Sequence, residues 1–279
     1  MTRVAVNLDV DSMTETIARP LTVFMVHGNG VDHRILKPLG LELERTGWFK
    51  TQYVDLPGFG TCDAMAGEAG LPELADWLEQ HIRSVAAGEP FALVGNSLGG
   101  LLCQEMADRF AGDVQGIFLL ATAVFPQTEA RTLPLHEVHV EDPKLLDSLP
   151  TDDARMYSQF AVIQSEATWR EYSRWVLPGL KAANLRAMAK LAKRYYLDPL
   201  PADRQTQLRV PVAIVCGRQD NVTGYHDQRV LLNRYPEAQL SVVESAGHNL
   251  HIDQPEAVRG KLLDWAKDVH RFFSVGETT

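Results

Sequence analysis

A serine alcohol becomes a useful nucleophile only where the fold holds it clear of its neighbours and supplies a base. One serine in this chain stands in such a setting. Phe91-Ala-Leu-Val-Gly-Asn-Ser-Leu-Gly-Gly100 is an apolar run that enters a Gly-x-Ser-x-Gly turn and continues into helical spacing. The pattern predicts a buried strand, a sharp turn that leaves Ser97 in a strained backbone conformation, and a helix. Gly95 and Gly99 leave room for that turn. The helix that begins after Ser97 brings backbone N–H groups and a positive dipole end to the nucleophile, which suits a developing oxyanion. The chemistry expected is attack on a carbonyl.

The elements that would position Ser97 follow from the apolar periodicity. Strand candidates are Val4 to Leu8, Leu21 to Val26, Thr51 to Val54, Phe91 to Val94, Gly116 to Leu120, Val212 to Cys216 and Gln239 to Val243. After the first, most are continuous apolar runs, as expected of strands covered on both faces. Helix candidates are Leu71 to Ala86, Leu98 to Phe110, Asp227 to Arg234 and Pro255 to Phe272, with apolar residues at i, i+3, i+4 spacing. In the last, Val258, Leu262, Leu263, Trp265 and Val269 are expected to face the sheet. Strands alternating with helices predict an α/β sheet.

The alternation stops between Pro126 and about Leu208. That stretch reads as several helices carrying Tyr157, Phe160, Trp169, Tyr172, Trp175, Tyr195 and Tyr196. Prolines 126, 199, 201 and 211 suit its two connections, because proline continues neither a helix nor a central strand. The expected organisation is one catalytic domain, residues 1–125 and 209–279, split by a helical cap at 126–208. Within the cap, Met156, Trp169, Trp175 and Met188 are candidates to line a substrate pocket. Lys181, Arg186, Lys190, Lys193 and Arg194 could hold a substrate carboxylate, although such a charge run is ordinarily a solvated helix face.

At 279 residues the chain is long enough to bury a large core without disulfide or metal support. With 45% hydrophobic and 23% charged residues, neither a disordered chain nor a membrane-embedded body fits. A net charge of −9 disfavours nucleic-acid phosphates and anionic lipid as partners, leaving small-molecule chemistry. Cys62, Cys103 and Cys216 are odd in number and lack zinc or disulfide spacing, so buried thiols in a reducing compartment are expected. Arg3, Asp9, Asp11, Glu15 and Arg19 interrupt any apolar stretch of signal-peptide length, which makes a cytoplasmic location the expectation.

Taken with its strand and helix, Gly-Asn-Ser-Leu-Gly resembles the nucleophile elbow of the α/β-hydrolase superfamily, and other motifs of that family follow in the right order. The resemblance implies a mostly parallel eight-stranded sheet flanked by helices, with an inserted helical cap. His27-Gly28-Asn29-Gly30 after the strand Leu21 to Val26 is similar to the family's oxyanion loop. It assigns oxyanion N–H groups to Asn29 and Leu98, with His27 as a brace for the loop. Asp55-Leu-Pro-Gly-Phe-Gly60 is similar to a backbone signature of the family with no chemical role. Gly217-Arg-Gln-Asp220 looks like the acid loop and Ala246-Gly-His248-Asn-Leu-His the catalytic-histidine loop, so the implied triad is Ser97, Asp220 and His248. Glu244, His251 and Asp253 are neighbouring alternatives that read as cap or loop residues.

An aspartate stands at the Ser97 position in the superfamily's dehalogenases and epoxide hydrolases, so the chain resembles neither. The reading implied is a serine hydrolase of a small apolar ester, lactone or related carbonyl compound, with no metal or organic cofactor. A carbon–carbon hydrolase of dienoate ring-cleavage products is the alternative. Against it, Asn249 stands where that group commonly has Trp, and the loop at Gly28 to Val31 is short. A ligand receptor that keeps the fold without turnover is a third class, which the full triad opposes.

Overall fold

The computed structural model describes residues 19–276, so the candidate strand Val4 to Leu8 lies outside the described residues. Among these residues one sheet has six strands, β1 Leu21–Val26, β2 Phe49–Val54, β3 Phe91–Asn96, β4 Val114–Leu120, β5 Val212–Gly217 and β6 Gln239–Val243. Their order is β2-β1-β3-β4-β5-β6. Every pairing is parallel. Eight strands are implied by the resemblance, against six here; the other six strand candidates all form, their ends shifted by at most two residues.

Side chains alternate along each strand and divide the core into two layers. Phe24, Val26, Leu93, Ile117, Leu119 and Ile214 pack with helices α2 Leu71–Ala86 and α3 Leu98–Arg109. Val23, Met25, Val94, Phe118, Leu120 and Val215 pack on the other face with α1 Lys37–Arg45 and α10 Pro255–Gly276. The stripe of α10 is Val258, Leu262, Trp265, Ala266 and Val269, all buried. Leu263 is only half-buried, and Ala266 takes its expected place because it follows Leu262 by four residues.

Helix α1 was not expected, because Pro38 and Gly40 weaken its pattern. The fold needs that glycine: a Cβ at Gly40 would lie 2.2 Å from the Tyr53 hydroxyl. Asp227 to Arg234, expected as an α-helix, is instead a 3-10 turn over Asp227–Asn233. Between β4 and β5 lie five helices, α4 Pro143–Ser148, α5 Thr151–Ser158, α6 Glu166–Trp175, α7 Leu177–Ala182 and α8 Leu185–Lys193. A short bridge from Val140 to Ile163 ties the beginning of this segment to its middle. After β6 a single turn, α9 Leu250–Asp253, leads into α10. Among the described residues no helix is long and apolar enough to cross a membrane.

The strand order decides where chemistry can occur. Register pairs Val26 with Gly95, Asn96 with Leu120, and Gly217 with Val243, so the carboxyl ends of the strands share one edge. The loops after β1, β3, β5 and β6 therefore emerge side by side, where open parallel sheets place their ligands.

Candidate active site

Ser97 occupies the turn between β3 and α3 with φ 53° and ψ −117°, a conformation that side chains rarely adopt. Its backbone is held on both sides: Ser97 N–H donates to the Leu120 carbonyl at 3.0 Å, and its carbonyl accepts from Gly100 and Ala123. The two glycines are steric requirements. A Cβ on Gly95 would meet the Gly99 carbonyl at 2.5 Å, and one on Gly99 would meet the Val26 carbonyl at 2.1 Å. Without side chains at these two positions, the start of α3 can lie this close to β1. Its first-turn N–H groups, Leu98 included, have no acceptor within the helix.

Asp220 lies in the loop after β5, three residues past Gly217, and is fully buried. Its carboxylate accepts from Val222 N–H at 2.9 Å, Thr223 N–H at 3.0 Å and the Thr223 hydroxyl at 2.7 Å. His248 Nδ1 lies 3.1 and 3.0 Å from its two oxygens. Burial alone would raise the acid's pKa, but the His248 charge and hydrogen bond, with those from Thr223, hold it below the ordinary value. An ionised carboxylate only accepts, so Nδ1 of His248 carries the hydrogen that faces it, and in the neutral imidazole Nε2 keeps its lone pair. This is the tautomer a general base requires.

The loop after β1 is set by His27, which is buried and kept neutral by that burial. Leu56 N–H donates to its Nε2 at 3.0 Å, so Nδ1 holds the hydrogen and donates to the Gly28 carbonyl at 2.7 Å. In a trans peptide the Gly28 carbonyl and the Asn29 N–H point in opposite directions. Fixing the first toward His27 therefore turns the second away from it. Gly28 also rests on the elbow, where an added Cβ would lie 3.1 Å from the Ser97 Cβ. The Asp55 carboxylate, in the turn after β2, accepts from His33 and Thr61, and Gly60 is packed over it.

Asn29, Ser97 and His248 open onto one cleft of about 590 Å³. Ala123, Phe160, Tyr195, Tyr196 and Val222 supply its apolar and aromatic wall, and Glu129, Arg131 and Lys193 its charges. The four expected pocket residues do not line it. Met156 and Trp169 pack into the core beside Tyr157 and Tyr172. The Trp175 indole donates to Glu171 and is covered by Arg174. Met188 lies against Gly30, beside the cleft rather than in it. Residues at helical stripe spacing turn to the interior, whereas Tyr195 and Tyr196 follow the end of α8 and are free to turn to the cleft.

The basic residues of the segment separate in the same way. Lys181 pairs with Asp153, Arg194 with Glu73, and Lys190 donates to the carbonyls of Met65 and Gly67. Arg186 is exposed, and Lys193 alone of the five reaches the cleft. Of the alternatives to the triad, Glu244 pairs with Arg218 at the surface, His251 is buried, and Asp253 binds main-chain N–H groups. Cys103 and Cys216 are buried as expected, but Cys62 is only half-buried. Asp32, His33 and Asp55 are close enough together to suggest a cation site, yet Asp32 is committed to Arg34 and Asp55 to His33 and Thr61.

Buried ionisable groups around the site predict how stability follows pH. Burial lowers the pKa of His27 and brings that of His251 down to about 3. Below the ordinary value of 6.5 the unfolded chain thus binds protons that these folded imidazoles refuse, and stability is lost as pH falls. Each contributes about 1.4 kcal/mol per pH unit at most. Asp253 acts oppositely, because burial pushes its carboxyl up to about 6, but it is one group against two. Asp55, held at about 2, adds a loss only below the ordinary 3.8. The urea midpoint should therefore drop between pH 7 and pH 5, and a flat or rising midpoint would contradict this balance.

Comparison with known proteins agrees with this architecture. A profile of the alpha/beta hydrolase family matches residues 23–261, and the chain belongs to that family. Its similarity to a pimeloyl-[acyl-carrier protein] methyl ester esterase of Shewanella sp. (strain MR-7) is 34% identity over 99 residues, covering 36% of this chain and 34% of the relative. The matched stretch thus spans about a third of that relative's length. With the monoacylglycerol lipase ABHD6 of Mus musculus it shares 20% identity over 230 residues, 78% of this chain and 67% of the relative. An alpha/beta superfamily hydrolase from Oenococcus oeni PSU-1 has the same fold, with TM-score 0.82 and 24% identity over 90% of this chain and 93% of that one.

Proposed function

We propose that the protein is a serine hydrolase that cleaves a carboxylic ester or lactone through an acyl-enzyme. The observation that carries this reading is that a strained Ser97 and His248 open onto one cleft, the imidazole being oriented by a buried, ionised Asp220. His248 Nε2 takes the Ser97 proton as the oxygen attacks the acyl carbon. Asp220 stabilises the imidazolium, and the N–H groups of Asn29 and Leu98 receive the oxyanion. Imidazolium then protonates the leaving alcohol, and water attacks the acyl-enzyme with His248 again as base. The names of two relatives, a methyl ester esterase and a monoacylglycerol lipase, point to the same bond.

In this reading the 126–208 segment is a lid, which contributes Phe160, Tyr195 and Tyr196 to the aromatic wall of the cleft. That wall suits a medium acyl or aromatic group. Esters of p-nitrophenol with two to eight acyl carbons, assayed beside a dienoate ring-cleavage product, test the assignment. Ester turnover that peaks at an intermediate chain length is expected. Turnover of the dienoate alone would assign the site to carbon–carbon cleavage. Ligand-induced stabilisation without turnover of either would make it a receptor.

A further inference from the structure

Asp253 is a buried acid with no place in the hydrolytic steps. It ends the single turn α9, five residues after His248, and is 6% exposed. Its carboxylate is shared between two parts of the chain. Oδ1 accepts from Val162 and Ile163 N–H, both at 3.2 Å, in the segment between α5 and α6. Oδ2 accepts from Gly247 N–H at 2.9 Å, immediately before the imidazole.

The surroundings show a direct junction. A Cβ on Gly247 would lie 2.9 Å from Val162 Cγ2 and 3.0 Å from the Phe160 carbonyl, so the segment rests on the histidine loop. The Val162 carbonyl accepts from His139 and Val140 N–H, and the His139 ring meets the Ser245 hydroxyl at 2.9 Å. Phe160, two residues before the anchored pair, lines the cleft with its ring centroid 6.5 Å from that of His248.

We propose that Asp253 is a positioning residue that holds the lid segment at Val162–Ile163 and the His248 loop at Gly247 in one fixed register over Ser97. The inference rests on the serine-hydrolase reading for its effect on rate, while the junction itself does not depend on it. Burial is the first cause of the raised carboxyl pKa, and it exceeds the help of three N–H donors. The fold therefore tolerates an unfavourable charge at a point where a neutral residue would be easier to bury. A carboxylate is the side chain that can accept from both sides at once, which an amide cannot.

Asp253→Asn tests this directly. The amide oxygen can keep Val162 and Ile163, which leaves its NH2 facing the Gly247 N–H. Per folded protein, kcat on p-nitrophenyl acetate should fall about tenfold as the imidazole loses its register. The KM for a hexanoate ester, whose longer chain would extend along the wall that Phe160 lines, should rise severalfold while that for acetate stays near the parent value. The melting temperature should be unchanged or higher. Parent kcat and KM values in the folded variant would overturn the proposal, as would a loss of activity that disappears once rates are normalised to folded protein. Should the variant not fold, amide exchange in the unsubstituted protein decides: Val162, Ile163 and Gly247 are expected to open at one common rate, and unrelated rates would overturn the link. If the unsubstituted protein hydrolyses no ester, the exchange result still judges the junction and only the hydrolase reading fails.

Discussion

Replacement of Ser97 by alanine should lower ester turnover by about 10⁴-fold or more, because the nucleophile is lost and only binding and the oxyanion donors remain. The same variant should melt within a degree or two of the parent. What locks the turn is the Ser97 backbone, through Leu120, Gly100 and Ala123, and not its hydroxyl. Alanine also bears the same strain at φ 53° as serine does. Ser97→Gly gives a second reading of that strain: glycine adopts the conformation freely, so this variant should be equally inactive but no less stable. Turnover retained by Ser97→Ala in a preparation free of host esterases would remove Ser97 from the mechanism.

How much of this was legible before the structure depends on what each residue answers to. Strand ends are written in the chain as apolar runs that stop at small or polar residues, and Ser97, Asp220 and His248 each follow one. Parallel order then brings loops that are far apart in sequence to one edge, and the motifs of the resemblance supplied the choice of side chain. Helical spacing carries less. Met156, Trp169 and Met188 share the 3.6-residue period of core stripes, and a period says that a face is covered without saying by what. Tyr195 and Tyr196 break that period, which was the available signal that they do something other than fill the core. Helix α1 was hidden for the opposite reason: its Gly40 suits the Tyr53 hydroxyl of β2, a long-range fit with no local trace. Asp253 was visible as a polar residue beside a helix start. That its two oxygens serve different parts of the chain was not, because the Val162–Ile163 partner lies about ninety residues away.

Asp220→Asn separates orientation from charge more sharply than any truncation. In the parent, Oδ1 receives the N–H groups of Val222 and Thr223, while Oδ2 receives the Thr223 hydroxyl and lies closest to His248 Nδ1. Asparagine fits the same space, and its oxygen best takes the Oδ1 position, where two main-chain donors converge. The NH2 group then occupies the Oδ2 position and donates toward His248. An imidazole facing a donor at Nδ1 must accept there, so its hydrogen moves to Nε2, and the lone pair that should take the Ser97 proton is gone. A fall in kcat of about 10⁴-fold is expected from the reversed tautomer, with KM nearly unchanged. The ¹⁵N shifts of the His248 ring report the reversal independently of rate: the parent should show hydrogen on Nδ1 and the variant on Nε2. A loss of less than tenfold would mean that another acid orients His248. Neither neighbouring carboxylate is placed to take over, since Glu244 is held at the surface by Arg218 and Asp253 is bound to three main-chain N–H groups.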